Sequence, residues 1–285
     1  MLHGYTPPRR FLPYLSWTEI AALPDKANTV IVLPAGATEQ HGPHLPCAVD
    51  TVIAAGVVGH ALARLDAAVP AYAMAPVTYG KSEEHLHFPG TVTLSGETLL
   101  ATMNEIGESV YRAGFRKLLI VNGHGGQPQV MEMAARELRL RHGDFIVVPS
   151  FTWRVPHVAG RYLSEREKKL AMHAGHAETA LMLALAPHTV RMNEAVTNYP
   201  PEFPSKLLSP DGRPACAWTA RDFGPSGVIG DPLPATVEQG QAILESLAES
   251  WAQAITELHA LHWAVRDEAT WGRAQHHGDV QTQWP

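Results

Sequence analysis

The sequence predicts an α/β fold in which a mainly parallel sheet is covered by helices on both faces. Short apolar runs rich in β-branched residues alternate with longer segments whose apolar residues recur at helical spacing. Strand and helix alternating at these lengths are typical of βαβ units, which build parallel sheets. Polar residues of the kinds that bind metals follow two of the strands directly. In parallel sheets, chemistry gathers beyond the carboxyl ends of the strands.

The elements are predicted in a regular order along the chain. A first strand over 29–36 is ended by Pro34 and Gly36, and the first helix has Asp50 and Thr51 at its start, where a cap belongs. Further strands are predicted over 71–80, 116–126 (running into a glycine loop) and 144–151, and helices over 50–65, 96–114, 128–143, 176–187 and 235–263. One domain is therefore expected over 1–285.

Two parts of the chain carry no strand or helix pattern. Residues 191–234 are rich in Pro and Gly and show no clear period, which favours a functional segment or a subunit contact. Residues 266–285 form a polar C-terminal tail, so the core is expected to span about 11–263.

Composition excludes several classes of protein. The net charge is −6 and there is no long basic run, so we expect no nucleic-acid partner. No stretch reaches the roughly 18–20 apolar residues of a membrane span, and the N-terminus has no apolar run typical of a signal peptide. Cys47 and Cys216 form no CxxC pair, so neither a disulfide framework nor a zinc–thiolate site is expected. We therefore expect a cytoplasmic protein without a membrane partner.

The stretch "PAGATEQHGPHLPCAVDT" (34–51) concentrates metal-binding side chains after the first strand. Glu39 and His41 are two residues apart in an extended segment, so their side chains point the same way and can converge. Asp50 follows at the start of a helix. Such a set of oxygen and nitrogen donors suits Zn or Mn. The alternative is an ordinary polar loop with Asp50 as a helix N-cap. His44 is interpreted as supporting the ligands or lining a pocket, and not as a ligand.

Other candidate residues lie in three later motifs. His124 stands in "VNGHGGQ", where glycines let backbone approach a ligand; a phosphate loop is the alternative. Glu178, in "MHAGHAETALML", is a carboxylate beside apolar residues, so it needs a partner such as a metal. The alternative is an acidic residue at a helix start that interacts with the helix dipole. Of His173 and His176, one is a candidate proton shuttle. His85, in "KSEEHLHFPGT", is a candidate for lining the pocket.

Together these motifs resemble the creatininase family of amidohydrolases, from about Phe11 to Trp263. "PAGATEQHGPHLPCAVDT", "EHLHFPGT", "VNGHGGQ", "HAGHAETALML" and "GVIGDPLPATVEQG" occur in the family's order. The resemblance implies a three-layer αβα fold and two divalent metal ions per subunit, with zinc favoured and manganese or iron as alternatives. One ion would be held by Glu39, Asp50 and His124, the other by His41, Asp50 and Glu178. Asp50 would bridge the ions, and a hydroxide between them would be the nucleophile.

The resemblance also implies roles outside the metal ligands. His173 would protonate the leaving nitrogen, with Glu178 as the second catalytic residue. The substrate pocket would include His85, His44, Gly125, Gly126 and Trp153. Family members are usually hexamers, so a homo-oligomer is expected, with contacts from 191–234 near the pocket.

One departure from the family bears on the substrate. Creatininase proper has Asn-Gly-His-Tyr-Glu where this chain has Gly125 and Gly126 after the histidine, which puts creatinine in doubt. The expected function is a metal-dependent amidohydrolase that hydrolyses a C–N bond, other than a peptide bond, of a small cyclic amide or formamide. The alternatives are C–C hydrolysis of a cyclic polyol ketone, peptide trimming at the same site, and a metal-binding module without activity.

Overall fold

The computed structural model describes residues 2–201, 203–205, 207–210 and 214–263, so the predicted tail lies outside the described residues. Four strands form one parallel sheet in the order β2-β1-β3-β4, which confirms the predicted α/β fold. The strands are β1 (Val30–Ala35), β2 (Ala71–Ala73), β3 (Lys117–Asn122) and β4 (Ile146–Phe151).

Seven α-helices surround this sheet within the described residues. They are α1 (Trp17–Ala22), α2 (Val49–Arg64), α3 (Gly96–Arg112), α4 (Pro128–Arg141), α5 (Glu165–Leu170), α6 (His176–Leu185) and α7 (Val237–Ala260). Helices α1 and α5 were not predicted, because six residues are too few to show a helical period. Both begin with a capping serine, Ser16 and Ser164, and these caps were the available signal.

Alternate residues of the central strand β1 face opposite helical layers. Val30 and Val32 pack with α2, α6 and α7, whereas Ile31 and Leu33 pack with α3 and α4. Every residue of β1 is buried. Burying each such aliphatic side chain contributes about 1.5–3 kcal/mol, so the two-sided core holds the carboxyl end of β1 in place. The expected three-layer arrangement follows from this packing.

Strand β2 is shorter than predicted. It ends at Ala73, and only an isolated bridge between Val77 and Ala35 continues it. The cause is Pro76, which has no backbone N–H to offer to a ladder.

The described part of 191–234 forms no α-helix and no strand of the sheet. It contains short turns of 3-10 helix at Met192–Glu194 and Ala220–Phe223. An isolated bridge joins Ile229 to His173, which ties the segment to the residues just before α6, and a second bridge joins Gly230 to Asn198 within the segment. None of the described helices is both long and apolar enough to cross a bilayer.

Candidate active site

Five side chains predicted as metal ligands come together at the carboxyl edge of the sheet. Glu39 and His41 follow β1, and His124 follows β3. Asp50 lies in the first turn of α2 and Glu178 in the first turn of α6. The first four are at most 2% exposed, and Glu178 is partly exposed. The structure thus brings together all the residues that the sequence assigned to metal binding.

Two glycines let the start of α2 reach between the strand ends. A Cβ at Gly36 would lie 2.5 Å from Thr51 N, and one at Gly123 would collide with the carbonyl oxygen of Asp50. Asp50 is not the N-cap that the sequence suggested. Ala48 holds that position without a side-chain bond, so the Asp50 carboxylate is free to face the cluster.

The carboxylate of Asp50 stands between two histidines. Its Oδ1 lies 3.3 Å from Nε2 of His41, and its Oδ2 lies 3.3 Å from Nδ1 of His124. Glu39 Oε2 is 3.2 Å from the same nitrogen of His124, and Glu39 Oε1 is 3.8 Å from His41 Nε2. One oxygen toward each histidine is the arrangement that a carboxylate bridging two cations needs.

Backbone carbonyls orient both histidines. His41 Nδ1 lies 3.1 Å from the carbonyl oxygen of Glu39, and His124 Nε2 lies 2.8 Å from that of Lys81. Because a carbonyl only accepts, these outer nitrogens donate, and in the neutral rings the inner nitrogens carry lone pairs. Metal-binding histidines are held in this way.

Two atoms of the cluster are buried without a hydrogen-bond partner among the described residues, His41 Nε2 and Asp50 Oδ2. An unpaired buried polar atom costs about 1–3 kcal/mol, and a cation would pair with both. The residues present therefore fit divalent metal ions with nitrogen and oxygen ligands.

Glu178 is placed by a strained turn. Ala174 has φ 54, in the left-handed region, and its N–H donates to Glu178 Oε2 at 2.7 Å. This turn puts His173 and Glu178 on the same side, where ligand atoms of His41, His173 and Glu178 lie within 4.8 Å of one another.

The buried charges shift the pKa values of the candidate ligands. Burial alone would lower the pKa of His41, but Asp50, Glu178 and Glu39 outweigh it and raise the pKa to about 9. Burial would also lower the pKa of His124, but Glu39 and Asp50 outweigh it and raise this pKa well above its ordinary value. Burial raises the pKa of Glu178 to about 7, partly offset by His41. The metal-free cluster therefore holds protons where a metal would bind.

His173 lies beside this cluster. Its Nε2 donates to the carbonyl oxygen of Gln40 at 2.6 Å, so its Nδ1, 3.7 Å from Glu39 Oε1, carries a lone pair. Its ring lies 4.1 Å from that of His41. Burial, with the charge of His41, lowers the pKa of His173 well below its ordinary value, so the ring is neutral at pH 7. His176 bonds Gln239 Oε1 at 2.7 Å and supports α7 instead.

A cleft of about 870 Å³ opens beside the cluster. Four of the residues predicted to line the substrate pocket line it: His85, Gly125, Gly126 and Trp153. His44 does not, which corrects that part of the prediction. Its ring is 1% exposed and its Nε2 pairs with Thr179 Oγ1 at 2.9 Å, so it supports α6 from behind.

Four further residues at the site were not predicted from the sequence. The Ser82 hydroxyl donates to Glu39 Oε2, and Glu84 Oε1 lies 3.5 Å from His124 Nε2. Gln40 bonds His85, and Trp218 lines the cleft. Ser82 and Glu84 lie one to three residues before His85, and this was a usable signal. Trp218 lies in the segment without a period and gave none.

The glycine loop after β3 is closed on itself. The N–H of His124 donates to Asn122 Oδ1 at 3.0 Å, and Asn122 Nδ2 donates back to the carbonyl oxygen of His124 at 2.7 Å. A phosphate loop needs free N–H groups, so this contact favours the reading of His124 as a ligand.

Comparisons with known proteins identify the family of this chain. The family model described as "Creatininase: Creatinine amidohydrolase" matches residues 13–255. A creatinine amidohydrolase of Pseudomonas putida is 33% identical over 261 residues, covering 87% of this chain and 96% of the relative. A mycofactocin precursor peptide peptidase of Mycolicibacterium smegmatis is 33% identical over 228 residues, covering 79% of this chain and 84% of the relative.

Solved structures give the same result. A creatininase variant described as Zn-Zn type matches with a TM-score of 0.71 at 32% identity, covering 87% of this chain and 97% of that one. A structure described as "Creatininase Mn" matches with a TM-score of 0.68 at 31% identity, covering 87% and 98%.

Proposed function

The chain belongs to the creatininase family of hydrolases, and from this premise we propose that it hydrolyses the C–N bond of an amide at a site holding two divalent metal ions. The observation that carries the proposal is the Asp50 carboxylate, whose two oxygens face two different histidines, each 3.3 Å away. When bound, such ions would polarise the substrate carbonyl and lower the pKa of a water molecule.

In this proposal the ligands divide into two sets that share Asp50. Glu39, Asp50 and His124 would hold one ion, and His41, Asp50 and Glu178 the other. The Ser82 hydroxyl and the N–H of Ala174 each donate to a ligand carboxylate, Glu39 and Glu178 respectively, which fixes the orientation of that carboxylate. Zinc and manganese both suit these donors.

His173 would move the proton. The neutral ring presents a lone pair on Nδ1, so it first accepts a proton from the attacking water as a general base. The proton then passes from Nδ1 to the leaving nitrogen, which departs as a neutral amine. The bond from Nε2 to the carbonyl oxygen of Gln40 supports the charged form of the ring while it holds that proton.

The substrate would be a small cyclic amide or formamide. A cleft of about 870 Å³ lies within the range of small-molecule sites. Gly125 and Gly126 stand where creatininase proper carries Tyr and Glu, and a Cβ at Gly125 would meet nothing within 4 Å. The cleft beside Gly125 is thus open to a substrate shape other than that of creatinine, whereas Glu84 Oε1 occupies the place of a side chain at Gly126.

Peptide trimming is the second candidate. The openness at Gly125 favours it, since a chain could pass there, and the Mycolicibacterium smegmatis relative is described as a peptide peptidase. Cleavage of a C–C bond in a cyclic polyol ketone is the remaining alternative.

A substrate panel tests these proposals. The protein is loaded with zinc or manganese and incubated with creatinine, other cyclic amides, formamides, short peptides and cyclic polyol ketones, and products are identified by mass. Release of an amine or of formate from a non-peptide amide is expected. Turnover of the ketones alone would refute hydrolysis of a C–N bond, and turnover of peptides alone would replace the first candidate with the second.

A further inference from the structure

Gln40 is a buried glutamine, 6% exposed, whose amide orientation is fixed by two backbone groups. The N–H of Gly42 donates to Gln40 Oε1 at 2.8 Å, and Gln40 Nε2 donates to the carbonyl oxygen of Gly227 at 3.1 Å. A backbone N–H only donates and a carbonyl only accepts, so the two ends of the amide cannot be exchanged.

The second hydrogen of this amide points at His85. Gln40 Nε2 lies 2.8 Å from His85 Nδ1. An amide NH₂ has only hydrogens to offer, so Nδ1 of His85 must accept, and the proton of the neutral ring must sit on Nε2.

This tautomer is the reverse of that found in the neighbouring histidines. His41, His124 and His173 donate from their outer nitrogens to backbone carbonyls and turn lone pairs toward the cluster. His85 lies near enough to Glu39 and His173 to be counted with metal-binding groups, but a nitrogen that carries a proton is no ligand. It offers a hydrogen bond instead.

The proton on His85 lies at the edge of the cleft, on the side of the ring that faces Glu39. His85 lines the cleft and its ring lies 4.2 Å from that of His173. Its Nε2 has no hydrogen-bond partner among the described residues, since the Glu39 Oε1 atom is 3.6 Å away, beyond hydrogen-bond distance. A donor beside the proposed base and metal ligands, with no partner of its own, is suited to an oxygen of the substrate.

We propose that His85 Nε2–H donates to the oxygen of the scissile carbonyl, and that Gln40 is the positioning residue that holds His85 in this donor tautomer. The inference rests on the proposed amide hydrolysis. As water adds to the carbonyl carbon, the C=O π pair moves to the oxygen, and the negative charge that develops there strengthens the hydrogen bond from His85. No proton leaves His85, and the charge returns to the carbonyl when the C–N bond breaks.

The first test measures the tautomer of His85 and does not depend on enzyme activity. The zinc-loaded full-length protein, labelled with ¹⁵N-histidine, is observed by NMR, and His85→Phe assigns the signal. The His85 proton is expected on Nε2, and in Gln40→Glu, whose carboxylate only accepts, it is expected to move to Nδ1. Gln40→Met, which adds no charge, is the second variant, expected to give a mixture of tautomers. A proton on Nδ1 in the wild-type protein would overturn the proposal.

The second test measures hydrolysis kinetics and zinc content, with the amide that is turned over fastest in the substrate panel. His85→Phe should lower kcat by roughly 10²–10³-fold with KM and zinc content nearly unchanged, and His85→Gln, which keeps an N–H donor, should recover part of the loss. An unchanged kcat in His85→Phe, or loss of zinc from it, would overturn the role of His85. No turnover by the wild-type protein would refute the proposed function and this role with it, whereas the NMR result on Gln40 would stand.

Discussion

The cleft has two unlike walls. The inner wall is formed by Glu39, Asp50 and His124, which are almost completely buried and lie at the ends of strands or the start of a helix. The outer wall includes Pro210 and residues 215–218, which belong to a segment without regular structure and are at least partly exposed.

The difference separates two determinants of function. The inner wall is held by the sheet and by buried hydrogen bonds, and in the proposed function it sets the bond-breaking chemistry. The outer wall lies in a segment that is tied to the site through the bridge between Ile229 and His173, and we expect changes at its exposed residues to cost little folding stability. We therefore expect inner-wall substitutions to abolish chemistry and outer-wall substitutions to change substrate preference.

The largest effect is expected from Asp50→Asn. The amide cannot bridge two cations, so both metal ions should be lost and activity should fall by at least about a thousandfold, or ~4 kcal/mol. Elemental analysis and rates on the preferred substrate measure this. Glu249→Gln, on the exposed face of α7, is the matched control and should change neither. Full metal content in Asp50→Asn would break the assignment of the inner wall.

His173→Asn should abolish proton transfer but not metal binding. We expect kcat to fall by roughly 10²–10⁴-fold, with metal content as in the wild-type protein. Steady-state kinetics and elemental analysis provide the readouts, with His188→Asn at an exposed position as control. A variant that keeps its kcat would remove His173 from the mechanism.

Metal binding should release protons near pH 7. His41, with its pKa raised to about 9, is protonated at that pH and must lose its proton to bind a metal. Calorimetric titration of the metal-free protein in buffers of different ionisation enthalpy should show at least one proton released, and fewer above pH 9. Equal release at both pH values would contradict the assigned role of His41.

The same shift predicts a pH dependence of stability in the metal-free protein. The folded pKa of His41 is raised from 6.5 to about 9. Its contribution is therefore complete below about pH 6.5 and is lost as the pH rises through about 9. The thermal midpoint of the metal-free protein should fall over this window more than that of the metal-loaded protein.

A smaller effect is expected at the outer wall. Trp218→Ala should alter kcat/KM between substrates by roughly 10–100-fold while metal content stays constant, because this side chain lines the cleft beside the ring of His85 and is not one of the proposed ligands. Trp17→Ala, at a tryptophan that is 80% exposed, is the matched control. Loss of metal from Trp218→Ala would show that the two walls are not separable.

The smallest effect on activity is expected behind the inner wall. Thr179→Val removes the bond to His44 Nε2 and should lower the free energy of unfolding by about 1–2 kcal/mol, with activity within about twofold of wild type. Chemical denaturation measures the free energy of unfolding. The control is Thr256→Val, where an exposed threonine bonds only its own helix.

The sequence was sufficient to predict the inner wall for a physical reason. Parallel strands end at one edge, so polar residues directly after β1 and β3 had to meet there. Gly36 and Gly123, which let α2 approach the strand ends, could also be read from the sequence. The groups that they make room for, Thr51 and the carbonyl of Asp50, could not.

The remaining features depend on contacts between distant segments. His44 stands in the same motif as the ligands, yet its partner Thr179 lies 135 residues further on, and only the fold shows that it faces away from the cleft. The orientation of Gln40 depends in the same way on Gly227. Trp218 belongs to a segment whose course no periodicity predicts. The single domain, the hexamer and the cytoplasmic location stay predictions.

The most direct test of the proposed metal site is anomalous X-ray diffraction from crystals of the manganese-loaded protein. Two manganese peaks are expected on either side of the Asp50 carboxylate, one beside His41 Nε2 and one beside His124 Nδ1. A single peak, or peaks that do not contact Asp50, would contradict the proposed metal site.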